Sequence, residues 1–184
     1  MSPGRTSKPT IPARLTVEEL AAAIDRTTEE VEGVLAARNE AHAPEDVVDA
    51  RTAVSVAAVL GVELSVEARD LTLESLYQSE IGGGEVDEGE LPARAAMLVK
   101  GVLTEKEELD HRIESASEHW SIARMPVIDR SILRLGLYEL MHNTETPTAV
   151  IVSEAVRLAK TYSTERSGAF VNGVLASLAR SVRG

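Results

Sequence analysis

The 184-residue chain reads as all-α. Its β-branched residues are scattered among Ala, Leu and Glu instead of alternating, and aromatics make up only 3%. Apolar residues recur three and four positions apart behind threonine caps, which is the spacing of one face of a helix. Three parts are expected: a flexible tail over 1–14, a small module of three short helices over 15–64, and a main domain of six longer helices over 65–184.

Residues 1–14 (MSPGRTSKPTIPAR) hold three prolines and no periodicity, so the first structure is expected at Leu15. Thr16 followed by Glu19 forms a capping box, and Val17, Leu20, Ala21 and Ile24 share the face behind it. Thr27 with Glu30 repeats the device ahead of Val31, Val34 and Leu35. A third helix is expected over about 45–60, carrying Val47, Ala50, Val54, Ala57, Ala58 and Leu60, and Gly61 closes it. The main domain starts with a helix near 66–80 that places Val66, Leu73, Leu76 and Tyr77 at helical spacing. The glycines at 82–84 then form a flexible loop, since no strand precedes them and no Lys-Ser/Thr follows.

A helix near 90–103 follows (Leu91, Ala95, Leu98, Val99, Val102), and Thr104 with Glu107 is read as capping the next, which runs to about Trp120. Pro126 stands at a helix start. The segment it opens, VIDRSILRLGLYELMH, is apolar around most of its circumference and is therefore central. Pro147 opens a helix ending near Tyr162, and the last runs from about Ser167 to Arg180 with Phe170, Val171, Val174, Leu175 and Leu178 inward. Gly136 in mid-helix, and Asn172-Gly173, are read as sites of close helix packing, with Asn172 tying down backbone.

Composition narrows the function. There is no cysteine, which excludes disulfides, thiolate metal sites and cysteine nucleophiles and fits a reducing cytoplasm. No apolar run approaches the ~18 residues of a membrane span, so no membrane partner is expected. The net charge is −11, with 6 basic and 11 acidic residues up to Leu64 and 13 and 19 after it, so neither part is basic overall. A chain this acidic repels nucleic acid at long range, and any RNA contact has to be local or assisted by a partner. His42, His111, His119 and His142 lack helix metal-site spacing, so neither metal nor cofactor is expected, and no nucleophile or acid–base set suggests an enzyme.

The most specific blocks are Ile128-Asp129-Arg130-Ser131-Ile132-Leu133-Arg134-Leu135-Gly136-Leu137-Tyr138-Glu139-Leu140, then Glu154-Ala155-Val156-Arg157-Leu158-Ala159-Lys160, then Phe170-Val171-Asn172-Gly173-Val174-Leu175. In this order and spacing they resemble the C-terminal half of the bacterial antitermination factor NusB family. The resemblance extends over 65–184 through Ala68-Arg69-Asp70 and Leu76-Tyr77-Gln78. It implies a NusB-like helical bundle that performs no catalysis, pairs with the small-subunit ribosomal protein NusE, and holds boxA RNA of ribosomal RNA leaders. The setting it implies is the RNA polymerase elongation complex, with the chain a monomer or homodimer. The module over 15–64 more weakly resembles the small N-terminal helical module of bacterial translation initiation factor two, through Leu15–Ala21, Glu30-Val31, Val34-Leu35 and Val59–Glu63. The Gly-Val turn expected after its second helix is replaced by Ala37-Arg38-Asn39.

Candidate RNA-binding residues are Arg69, Tyr77, Arg130, Arg134 and Phe170. The family usually begins its first helix with an arginine-rich stretch, whereas residues 62–70 here retain only Arg69 as a cation. Each lost phosphate contact lowers the salt dependence and the affinity. Tyr77 and Phe170 match positions the family uses for RNA and offer stacking faces; as core residues they would do neither. Arg130 and Arg134, one turn apart, either face a ligand or form structural ion pairs with Glu74, Glu139 or Glu154. Trp120 reads as a partner anchor or as a boundary core residue. The rival to an RNA-binding factor is a protein-binding adaptor on the same fold that has lost most RNA recognition.

Overall fold

A computed structural model describes residues 9–12, 14–40, 42–62, 65–82, 91–117 and 120–184. The chain divides into two compact units, Met1–Asp70 and Leu71–Gly184. Residues 1–8 of the expected tail and the glycines at 83 and 84 lie outside the described residues.

In the first unit the capping boxes form as their sequence requires. Thr16 and Thr27 accept from the backbone N–H of Glu19 and Glu30, and those glutamates accept from the threonine N–H groups in return. They open helices α1 (Val17–Ala23) and α2 (Thr28–Ala37); Asp49 caps α3 (Ala50–Val59) by accepting from the Thr52 N–H. Gly61 ends α3 with φ +77°. At the end of α2, Asn39 takes the left-handed conformation at φ 60°, so asparagine fills the place where a glycine was expected.

Beside the three expected helices the module carries four very short strands, which the all-α reading did not include. β1 (Thr10–Ile11) pairs in parallel with β4 (Ser65–Val66), and β2 (Arg14–Thr16) pairs antiparallel with β3 (Val47–Asp49). Residues 10–14 are therefore not all tail: Ile11 is fully buried among Leu15, Val17, Leu20, Val31, Leu35, Val48 and Val56. The third helix correspondingly starts five residues later than its expected beginning at 45, because β3 occupies Val47–Asp49.

The second unit is a helical bundle. It comprises α4 (Ala68–Gly82, whose first residues belong to the other unit), α5 (Ala93–Thr104), α6 (Lys106–Ala116), a 3₁₀ turn (Ile122–Arg124), α7 (Val127–His142), α8 (Thr148–Tyr162) and α9 (Ser167–Arg183). α7 is the central helix, as its all-round apolar circumference requires: Ile132, Leu133, Leu135, Leu137 and Leu140 are all fully buried. Pro126 and Pro147 sit at the caps of α7 and α8, where a missing N–H costs no helical bond.

Gly136 packs α7 onto α9, since a Cβ there would lie 2.8 Å from Leu175 Cδ1. Gly173 does not pack: a Cβ there would meet nothing within 4 Å. Asn172 is exposed and bonds no backbone among the described residues, which corrects the reading of that pair as a tight contact. The capping box expected at Thr104 and Glu107 is also absent. α5 runs through Thr104, whose hydroxyl donates back to the Lys100 carbonyl, and Glu105 caps α6 without a side-chain bond. α6 ends at Ala116, short of Trp120, and α9 continues past Arg180 to Arg183.

Candidate nucleic-acid and partner surface

The two arginines of α7 are drawn into a carboxylate cluster. Glu80, near the end of α4, accepts from Arg130 Nε at 2.6 Å and from Arg134 Nη1 at 2.5 Å, with Lys106 Nζ 3.1 Å away. Asp110 on α6 takes Arg134 in a two-pronged pair, Nε–Oδ1 2.6 Å and Nη2–Oδ2 2.9 Å. Burial alone would raise the Glu80 pKa, but Arg134, Lys106 and Arg130 outweigh it and hold the carboxyl down at about 2. Burial likewise works against the Arg134 charge, and Asp110 and Glu80 reverse that, so its pKa is raised.

Arg130 and Arg134 thus make structural ion pairs, but not with the acids expected from sequence. Glu74 is exposed, Glu139 lies 3.8 Å from Arg94, and Glu154 pairs with Arg157. Removing the guanidinium from a nearly buried carboxylate, Glu80, and a partly buried one, Asp110, is costly, which makes Arg134, 7% exposed, an anchor of the α4–α6–α7 corner. Nothing in local spacing marks the partners, because Glu80 is 54 residues from Arg134 and Asp110 is 24.

A second polar cluster positions the start of α9. Asp129 in the first turn of α7 is buried and accepts from Ser163 Oγ at 2.5 Å and Ser167 Oγ at 2.9 Å, while Thr164 and Ser167 hydroxyls lie 2.8 Å apart. These bonds tie the α8–α9 corner to α7 and so fix where Phe170, one turn into α9, emerges. Phe170 is half-buried: it packs on the main core, and the Trp120 ring stands beside it with centroids 6.4 Å apart and planes tilted by 58°. Trp120 is not a core residue, being 52% exposed. Tyr77 on α4 is half-buried, and so is Arg69, eight residues before it on the same helix. Of the five sequence candidates, Arg130 and Arg134 lie in the ion-pair cluster, Tyr77 and Phe170 are partly open aromatics of the second unit, and Arg69 stands among the first residues of α4, which belong to the first unit.

The C-terminal end of α7 is held by a residue that sequence reasoning passed over. Arg183 donates to the carbonyls of Leu140 (2.7 Å), Asn143 (2.6 Å), Thr146 (2.9 Å) and Glu139 (3.1 Å). It bridges carbonyls at the end of α7, where a helix leaves acceptors open, to the connection that leads into α8. Among the described residues no group of three or more His, Asp and Glu gathers as a metal would require, and no helix is long and apolar enough to cross a membrane.

The sequence profile of the NusB family matches residues 54–180. The chain belongs to the NusB family. The Transcription antitermination protein NusB of Symbiobacterium thermophilum is 37% identical over 138 residues, 64% of this chain and 90% of that protein. Its namesake from Geobacter sulfurreducens is 39% identical over 127 residues, 62% and 92% of the two chains. Among solved structures, T. maritima NusB superposes with a TM-score of 0.58 at 31% identity, over 64% of this chain and 91% of that one. A crystal structure of the antitermination factors NusB and NusE in complex with dsRNA matches with a TM-score of 0.54 at 28% identity, over 62% and 94%. The NusB blocks read from sequence are thus α7, α8 and the first half of α9, the three helices that build the centre of the second unit.

Proposed function

We propose that this NusB-family protein is a transcription antitermination factor of ribosomal RNA operons, pairing with a NusE-type ribosomal protein so that the pair binds boxA RNA within the RNA polymerase elongation complex. The family match over 54–180 carries this reading. It is supported by relatives named for antitermination and by a related NusB crystallised with NusE and dsRNA. Arg69, Tyr77 and Phe170 are assigned to RNA. Arg130 and Arg134 serve the site through the cluster that anchors α7, since each guanidinium is already bonded to a carboxylate. The factor works by docking and catalyses nothing.

With a net charge of −11 and Arg69 as the one cation of residues 62–70, the protein alone binds RNA weakly and NusE supplies much of the affinity. Titrating labelled boxA RNA with the protein, with NusE, and with both together tests this: binding is expected to tighten sharply in the mixture. No binding in any mixture removes the RNA role. The same charge balance favours one other reading, an adaptor that keeps NusE and has lost RNA; capture of NusE without RNA binding at low salt selects it.

A further inference from the structure

We propose that the outer face of α5, centred on Met97 and bordered by the Tyr138 ring of α7, docks a short acidic amphipathic helix of a partner protein. The surface uses none of the residues assigned to RNA, and the inference does not depend on that assignment.

Three contacts hold α5 against α7. Arg94 Nη2 stands 3.8 Å from the buried Glu139 carboxylate, and Gly101 lies so close under the Tyr138 ring that a Cβ there would overlap it. Glu105, just past the end of α5, brings Oε2 within 2.9 Å of His142 Nε2, and the His142 ring packs against Tyr138 with centroids 4.6 Å apart. Arg94, Met97 and Gly101 are spaced i, i+3 and i+7, so Met97 belongs to the same stripe, one turn from each of them.

Met97 is 58% exposed, more than any other large apolar residue among those described in the second unit. The opposite side of α5, with Ala95, Leu98, Val99 and Val102, is buried. The helix is therefore anchored without Met97, and its outer face is spare. A flexible thioether on a fixed backbone can adapt to an apolar side chain brought by a partner.

Charge decides what that partner is. α5 (ARAAMLVKGVLT) carries no acidic residue, while Arg94 and Lys100 are both exposed on a molecule of net charge −11. Lys100 pairs with no carboxylate among the described residues. The two carboxylates on the seam are already engaged, Glu139 with Arg94 and Glu105 with His142. The open charge on this face is thus positive and complements carboxylates. Nucleic acid fits it less well, because Gly101 and His142 occupy the Tyr138 ring and Met97 offers a phosphate nothing. Beyond Thr104 the exposed Glu107 and Glu108 of α6 reverse the sign, so the positive stretch is limited to α5, about 18 Å. That length suits about three turns of partner helix, with an apolar residue on Met97 and carboxylates one turn to either side.

The full chain, isotope-labelled in its methionine methyl groups, reports on this face by NMR: Met97 is exposed and the buried Met125 is the internal control. Three synthetic helical peptides of about 15 residues share one leucine stripe and carry glutamate, glutamine or lysine beside it. Only the glutamate peptide is expected to shift the Met97 methyl saturably while Met125 stays in place. Lys100→Glu and Met97→Ser should each weaken it by roughly 10-fold or more, with circular dichroism and Tm unchanged, and Lys100→Arg should retain it.

A Met97 methyl that ignores all three peptides, or that answers the glutamine or lysine peptide as strongly, overturns the proposal, and so does unchanged affinity in Lys100→Glu. A Met97 shift caused by boxA RNA and not by the glutamate peptide overturns it in favour of nucleic acid, and one that grows with protein concentration alone does so in favour of a second copy of this chain. No peptide result bears on the RNA-binding reading, which stands or falls on its own titration.

Discussion

Replacing Glu80 by glutamine removes the charge that Arg130, Arg134 and Lys106 converge on, while keeping the shape and one hydrogen-bond acceptor. The carboxyl pKa falls from 4.5 to about 2 in the folded protein. At ~1.4 kcal/mol for each tenfold change in the protonation equilibrium, that drop corresponds to about 3 kcal/mol of stability. The Glu80 side chain is only 8% exposed, and Arg134, at 7%, is the least screened and the strongest of its three cationic partners.

The folded-state value lies below the unfolded one, so between them the native state holds fewer protons than the unfolded chain. The contribution is complete above pH 4.5 and disappears as pH falls through about 2. Urea unfolding followed by circular dichroism should show the variant about 3 kcal/mol less stable near neutrality, a Tm drop of roughly 6–12 °C for a chain of this size. The gap to the parent protein should close as the solution is acidified through that window. A variant that differs by less than ~1 kcal/mol at neutrality, or by the same amount at every pH, would refute the proposed balance in which three cations overcome burial.

Three further outcomes are expected. Gly101→Ala should cost about 1–3 kcal/mol, because a methyl there overlaps the Tyr138 ring, whereas Gly173→Ala should stabilise by roughly 0.5–1 kcal/mol, because it fills open space in a helix; paired thermal melts check both signs. Arg183→Ala should destabilise the second unit by roughly 1.5–3 kcal/mol, since four carbonyls at the end of α7 and in the connection to α8 lose one charged donor, and hydrogen exchange should rise first around 139–148. The salt slope of RNA binding in the presence of NusE should be unchanged by Arg134→Met, because that guanidinium is held by Glu80 and Asp110 and releases no counterion from a phosphate; a salt titration in which the slope fell by about 0.7 would overturn this.

Most helices were legible because their signals are local. Thr16 with Glu19, Thr27 with Glu30, Pro126, Pro147 and Gly61 each act on backbone groups within a turn, and the apolar spacing of α7 needed no knowledge of its neighbours. The strands were not legible: pairs of two or three residues such as Thr10–Ile11 with Ser65–Val66 are too short to show a period of two. Thr104 and Glu107 had capping-box spacing but lay across a helix that did not end where the box required. Of the candidate site residues, the one-turn spacing of Arg130 and Arg134 was readable and their carboxylate partners were not. Trp120 could be named from sequence, but not as exposed or as the neighbour of Phe170.

What the order of residues determined by itself is the helical character, the central place of α7 and the family to which the chain belongs, since these depend on hydrophobic period, caps and short motifs read along one strand of chain. Tertiary structure alone decided which arginines are occupied and which are open. An ion pair between residues 24 to 54 positions apart, or two rings brought together across 50, exists only once packing has spent the chain entropy to join them, and no local pattern records that choice.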